Sequence, residues 1–249
     1  MAEVIRLKVK RQDEPESKPY WEEFEIPYHP QHNIVSLLMA LRENPTNIKG
    51  EKVAPVVYEA NCMEEVCGAC TMIINGEVRQ GCSALVDTLE QPIVLEPMTK
   101  FPVVRDLLVD RQRMFDALRQ VRAWVDIDGG YDIHLTSPRI SPQDWAKHYD
   151  FSKCMTCGCC MEACPQYLPN RKFIGPAPIG QAWRFNDHPT GKYFKEERLR
   201  ALMGPGGITD CGNAQNCVRA CPKEIKLTDA IAKVSRDTTV QALKELFLK

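Results

Sequence analysis

Twelve cysteines occur in 249 residues, and all of them fall in three tight groups, Cys62 to Cys82, Cys154 to Cys164 and Cys211 to Cys221. Nothing else in the chain restricts its fold as strongly. Clustered thiols are either oxidised in pairs or used as metal ligands, and the compartment decides between them. Met1 to Lys10 shows no apolar stretch followed by a small-residue cleavage site, so export is not expected. In a reducing compartment structural disulfides are rare, which leaves metal ligation. The fold must therefore carry thiols from separate segments to common points. Lys plus Arg (32) nearly balances Asp plus Glu (33), which argues against a nucleic-acid binder. No apolar run approaches the roughly 18 residues of a membrane span, so a membrane role would need another subunit to hold the chain.

The first group reads C-x4-C-x2-C-x11-C over Cys62, Cys67, Cys70 and Cys82. Its opening is the spacing of plant-type two-iron ferredoxins, with the fourth cysteine further along. Three thiolates on one loop can wrap a pair of irons, Gly68 leaves room for close backbone approach, and Asn75-Gly76 folds the chain so that Cys82 returns to the loop. The alternative is a four-cysteine zinc site. It fits less well, because zinc sites favour paired C-x2-C units.

The second group, Cys154-x2-Cys157-x2-Cys160-x3-Cys164-Pro165, is the bacterial ferredoxin run, whose fourth cysteine serves the other cluster in two-cluster proteins. The third, Cys211-x5-Cys217-x3-Cys221-Pro222, is a second such run with one cysteine missing, its place held by Ala214. Crossed pairing gives Cys154, Cys157, Cys160 and Cys221 to a [4Fe–4S] cluster. It leaves Cys164, Cys211 and Cys217 for the other, and three thiolates suit [3Fe–4S]. A four-iron cluster with water or another group on its fourth iron is the alternative. Cys159 is left over and is read as a packed thiol.

Around these groups the first hundred residues read as a small α+β sheet domain. Val4 to Val9 and Phe24 to Tyr28 are strand-like, Asn33 can cap a helix through Ile34, Leu37, Leu38 and Leu41, and Thr71 to Gln80 is a hairpin about Asn75-Gly76. Ile93 to Leu95 is a last strand. After Phe101-Pro102, the spacing of Val104, Leu107, Leu108, Met114, Phe115, Leu118 and Val121 predicts one long helix. A polar stretch follows from Asp126 to Asp144, then cysteine loops and short helices, with Thr228 able to cap a helix through Ile231 and Val234. The boundary is placed at Phe101, giving domains 1–101 and 102–249. His29, His32, His134, His148 and His188 do not form a spaced metal set, and no Ser/His/Asp arrangement or phosphate-binding loop occurs. Trp124, Trp145 and Trp183 read as core or interface anchors, and no residue is assigned a catalytic role.

The segments Asn-Cys-Met-Glu-Glu-Val-Cys-Gly-Ala-Cys (to Cys70), Phe101-Pro-Val-Val-Arg-Asp-Leu, Lys153-Cys-Met-Thr-Cys-Gly and Asp210-Cys-Gly-Asn-Ala-Gln-Asn-Cys carry a resemblance that covers essentially the whole chain. It resembles the iron–sulfur subunit of succinate dehydrogenase and fumarate reductase. The last two segments, with His188-Pro-Thr-Gly, look most like the menaquinone-linked bacterial branch. The resemblance implies a β-grasp two-iron domain followed by an all-α ferredoxin domain. It implies an FAD-containing flavoprotein partner that holds the dicarboxylate site, and a membrane-anchor cytochrome b partner where quinone is reduced. It also implies a peripheral place on the cytoplasmic face of the cell membrane. The ubiquinone-linked branch commonly has a Trp shortly after the Cys-Pro matching Cys164-Pro165 and a His after the cysteine matching Cys211. Here those regions hold Tyr167-Leu168-Pro169 and Gly212, and no quinone ligands are assigned. Fumarate reduction by the same chain in reverse is the nearest alternative function, and a soluble multi-cluster electron carrier is a more distant one.

Overall fold

The computed structural model describes residues 4–126 and 140–247. The chain divides into two compact units, Met1–Arg111 with Met155–Glu162, and Gln112–Cys154 with Ala163–Lys249. The first is built on a five-stranded sheet of order β2-β1-β5-β3-β4. Its strands are β1 (Val4–Arg11), β2 (Tyr20–Pro27), β3 (Thr71–Ile74), β4 (Glu77–Gln80) and β5 (Ile93–Glu96). Helix α1 (Ile34–Glu43) belongs to the same core. Strand β1 runs antiparallel to β2 and parallel to β5. The alternation expected of β1 is real: Ile5, Leu7 and Val9 are buried against Phe24, Ile26, Ile93, Leu95 and the Ile34, Leu37, Leu38 and Leu41 face of α1. Asn33 caps that helix, its side-chain oxygen accepting from Ser36 N at 2.9 Å while Ser36 Oγ accepts from Asn33 N at 2.9 Å. The β3–β4 turn has φ of 49° at Asn75 and 83° at Gly76, both left-handed as a two-residue hairpin requires.

The long helix expected after Phe101 does not form across its first half. Instead β6 (Val103–Arg105) and β7 (Leu108–Val109) make a small antiparallel pair, and a helix, α2 (Gln112–Gln120), starts only afterwards. The cause is Asp106, fully buried with φ of 47°. Its carboxylate accepts from Arg11 Nε at 2.8 Å, Gln12 N at 3.1 Å and Val57 N at 2.9 Å. Its own N–H donates to Gln12 O at 2.9 Å. Four bonds to distant segments outweigh local helical periodicity, a tertiary override that apolar spacing does not register. Arg11, 1% exposed, also donates to Glu22 at 2.6 Å and to Ala54 O at 3.0 Å. Removing the carboxylate leaves that buried cation and two N–H groups short of a partner. Asp106→Ala is therefore expected to destabilise the intact chain by about 3–5 kcal/mol, read as a lowered denaturation midpoint. A midpoint within error of the parent would show that the pair contributes nothing.

Further helices follow: α3 (Pro142–Ser152), α4 (Cys159–Glu162), α5 (Pro176–Asp187), α6 (Lys195–Met203), α7 (Asn216–Arg219) and α8 (Leu227–Phe247). Among its described residues the second unit carries helices and no strand. Helices α5, α6 and α8 pack on one another. Buried Ile179, Ala182, Trp183, Leu199, Leu202, Ala230 and Val234 lie along them. The polar stretch read from Asp126 to Asp144 lies largely outside the described residues, which resume at Ile140; Ser141 Oγ caps α3 by accepting from Asp144 N at 3.1 Å. Helix α8 begins at Leu227, so Thr228 is inside its first turn and is not the cap. No helix among the described residues is long and apolar enough to cross a membrane.

Candidate functional site

None of the twelve cysteines is in a disulfide. The first group is gathered by the loop ahead of β3 and by the segment just after β4. Met63, Glu65 and Gly68 all have left-handed backbone, with φ of 61°, 54° and 72°. This winding turns successive N–H groups toward sulfur. Cys62 Sγ accepts from Glu64 N at 3.4 Å, Val66 N at 3.3 Å and Cys67 N at 3.3 Å. Glu65 N donates to Cys82 Sγ at 3.3 Å, Ala69 N to Cys67 Sγ at 3.4 Å, and Cys82 N to Cys70 Sγ at 3.4 Å. All four predicted thiols thus share one cradle. The N–H donors lower the Cys62 thiol to about 7, favouring the thiolate that binds iron. Cys70 lies deeper, and burial pushes it up to about 12. A nest of N–H donors around sulfur is what an anionic iron–sulfur cluster needs, so the residues fit that group. Among the described residues no group of three or more His, Cys, Asp or Glu side chains is placed to hold a single metal ion.

The second run is divided between the units. Cys157 and Cys160 belong to the first; Cys154 and Cys164 belong to the second, as does Cys221 of the third group. Left-handed Thr156 (φ 54°) and Gly158 (φ 89°) bend the run. Glu162 of α4 ties it down, its carboxylate accepting from Thr99 N at 3.0 Å, Thr99 Oγ1 at 2.5 Å and Lys100 N at 3.1 Å. Cys157 is lowered to about 7, first by a hydrogen bond from Cys159 and further by the positive charge of Arg111. Cys159 itself is fully buried and accepts from Gln80 Nε2 at 3.3 Å.

Within the second unit Cys164, Cys211 and Cys217 come together. Burial raises the Cys217 thiol to about 11, and the neighbouring Cys164 and Cys211 add to that rise by charge repulsion. The three line one pocket with Ala214, and Thr228 and Ile231 of α8 line it too. Asn213 and Gln215, with φ of 51° and 61°, wrap the chain around it. Arg113 braces the loop after Cys164, donating to Leu168 O at 2.8 Å and Phe173 O at 3.2 Å while its guanidinium lies 4.1 Å from the Tyr167 ring centre. Sequence spacing pointed to the thiols as candidates but gave no sign of the contacts of Arg113, Glu162 or Gln80, whose partners are remote in the chain. Among the histidines, His29, His32 and His188 are locally hydrogen-bonded as expected, and His134 lies outside the described residues.

Residues 6–116 match the family of 2Fe-2S iron-sulfur cluster binding domains, and residues 150–225 match the 4Fe-4S dicluster domain. The succinate dehydrogenase iron-sulfur subunit of Bacillus subtilis (strain 168) is 57% identical over 246 residues, covering 98% of this chain and 96% of that protein. The chain belongs to the family of succinate dehydrogenase and fumarate reductase iron–sulfur subunits. It is thus an iron–sulfur electron-transfer subunit of an oxidoreductase complex, with a two-iron domain and a dicluster domain. A fumarate reductase iron-sulfur subunit of Escherichia coli O6:H1 is 29% identical, covering 98% of this chain and 99% of that one. Among solved structures, a chain of the Mycobacterium smegmatis Sdh1 complex in the apo form has the same fold, with a TM-score of 0.77 at 20% identity, covering 97% of this chain and 98% of that one.

Proposed function

We propose that this chain connects an FAD-containing flavoprotein to a membrane anchor in a succinate:quinone oxidoreductase. The observation that carries this reading is the 57% identity to a succinate dehydrogenase subunit, against 29% to a fumarate reductase subunit, each over nearly the full chain. The first unit is read as a β-grasp domain holding [2Fe–2S] on Cys62, Cys67, Cys70 and Cys82. The carboxy-terminal ferredoxin domain, from residue 102 on, holds [4Fe–4S] on Cys154, Cys157, Cys160 and Cys221, and [3Fe–4S] on Cys164, Cys211 and Cys217. The quinone is menaquinone at the anchor interface, and the chain sits peripherally at the cytoplasmic face of the membrane.

The three clusters supply one-electron steps between flavin and quinone. The chain's own residues prepare their sites. The loop from Cys62 to Cys70 presents N–H groups to its sulfurs, and burial of Cys70 and Cys82 keeps water from the inner half of that site. Ala214 supplies no ligand atom to the third site, which leaves it with three thiols.

Cluster content is the first check. Two, four and three irons make about nine per chain, with a three-iron signal near g of about 2 in the oxidised complex and a two-iron signal after reduction. An iron-replete complex showing a single cluster type would overturn the assignment. Direction is checked by comparing succinate oxidation with fumarate reduction in the same preparation. Faster fumarate reduction with reduced menaquinone would favour the reverse activity.

A further inference from the structure

Beside the loop of the first cysteine group, within the first unit, lies a cleft of about 640 Å³. Its polar lining is Arg42, Tyr58, Asn61 and Arg105. No Asp or Glu of the described residues lines it, and neither arginine is in an ion pair among them. Arg105 Nε is shut off from water and has no hydrogen-bond partner. A buried N–H without an acceptor is rare in a folded protein and calls for an explanation.

The fold fixes Arg105 in this place. It ends β6, and the neighbouring Asp106 turns inward to Arg11, Gln12 and Val57, so that carboxylate does not serve Arg105. Leu107 N donates to Val57 O at 3.1 Å, which holds the segment of Tyr58 beside the same strand. Arg42 comes from the last turn of α1. Two guanidinium groups in a cleft without acids select a carboxylate, which each can grip through paired N–H bonds. The volume is that of a site for something much larger than a lone anion.

Position decides where the carboxylate comes from. Asn61 and Met63, on either side of Cys62, both line the cleft. Cys62 and Cys67 are the half-buried thiols of the first site, whereas Cys70 and Cys82 are buried. A redox partner must approach from that open edge. Met39 and Met63 at the cleft and Val66 on the loop are all exposed. Methionine, arginine and tyrosine without lysine or acids is the composition of a surface that another protein covers.

We infer that this cleft seats an acidic loop of the flavoprotein partner, with an Asp or Glu carboxylate against Arg42 and Arg105. The inference rests on the flavoprotein partner proposed above. The carboxylate supplies the acceptor that Arg105 Nε lacks, and the loop covers Met39 and Met63 beside Cys62. Arg42 and Arg105 are positioning residues: they set where the partner stands and carry no electron themselves.

The test uses the purified complex carrying Arg42→Glu, a change at an exposed helix end. Release of the flavoprotein on dilution is expected to quicken by at least about thirtyfold, because a charge pair sealed in an interface is replaced by two acids. The two-iron EPR signal of this chain should stay at parental strength, which separates lost docking from lost folding. Arg42→Lys keeps the charge and should restore slow release. It also introduces an amine that a carbodiimide can join to the facing carboxylate as an amide, with loss of water. Peptide mapping should place that cross-link on an acidic residue of the flavoprotein. If Arg42→Glu does not assemble, the cross-link alone carries the test. Parental release from an assembled Arg42→Glu complex, or a cross-link confined to this chain or to the anchor, overturns the inference alone. A parent complex that purifies without a flavin-containing subunit overturns the proposed function and the inference with it.

Discussion

Ala214→Cys is expected to abolish the three-iron signal and raise the iron content from about nine to about ten per chain. Ala214 lines the same pocket as Cys164, Cys211 and Cys217, so a thiol there faces the site that those three residues form. The flanking left-handed residues, Asn213 and Gln215, already wrap the chain around the pocket. A fourth thiolate converts a site for three irons into a site for four. The identity of the bound cluster changes, and its potential changes with it. Because the proposed path ends at this site, the loss falls on the last transfer. Each fall of about 59 mV makes filling that carrier tenfold less favourable. Quinone reduction is therefore expected to drop about tenfold or more, while succinate oxidation with a dye that accepts near the flavin survives. The measurement is EPR of the oxidised variant beside both assays. An unchanged three-iron signal in a folded variant would mean that residue 214 is not at the ligand position, and the grouping of Cys164, Cys211 and Cys217 would have to be redrawn.

Gly68→Ala should cost the complex its two-iron and four-iron clusters together. Gly68 has φ of 72°, and a Cβ there would stand 2.7 Å from both Cα and Cβ of Cys157 and 3.2 Å from its backbone nitrogen. The left-handed conformation alone disfavours Ala by about 1–2 kcal/mol. The steric overlap is the larger effect, because its partner is backbone and cannot rotate away. Relief requires the Cys62 to Cys70 loop or the Met155 to Glu162 segment to move by several tenths of an ångström. Metal ligands tolerate errors of only about 0.2 Å. The expected result is loss of most of the two-iron and four-iron signals. The three-iron signal should remain, since Cys164, Cys211 and Cys217 all lie in the other unit. A variant that retains all three signals at parental strength would show that the two segments can separate without disturbing either site.

Much of this protein was legible before its structure was known. Ligand spacing along a chain is a local property, so C-x4-C-x2-C and the paired ferredoxin runs could be read from order alone. The same holds for the Asn33 cap, the alternation of β1 and the Asn75-Gly76 turn, each decided within a few residues. The long helix expected after Phe101 failed because Asp106 bonds to Arg11, Gln12 and Val57, and no window around residue 106 contains those partners. Gln80 shows the same limit at the site. Its sequence neighbours mark it as the end of an ordinary hairpin strand, and only folding places its amide between Cys70 and Cys159. The order of the cysteines by itself singled out the thiols proposed to serve iron, because ligand type and spacing act locally. Tertiary structure alone decided the electrostatic surroundings of those thiols. A hydrogen bond or a buried charge depends on distance in space, and residues 79 apart in the chain, such as Gln80 and Cys159, acquire that distance only when the fold closes.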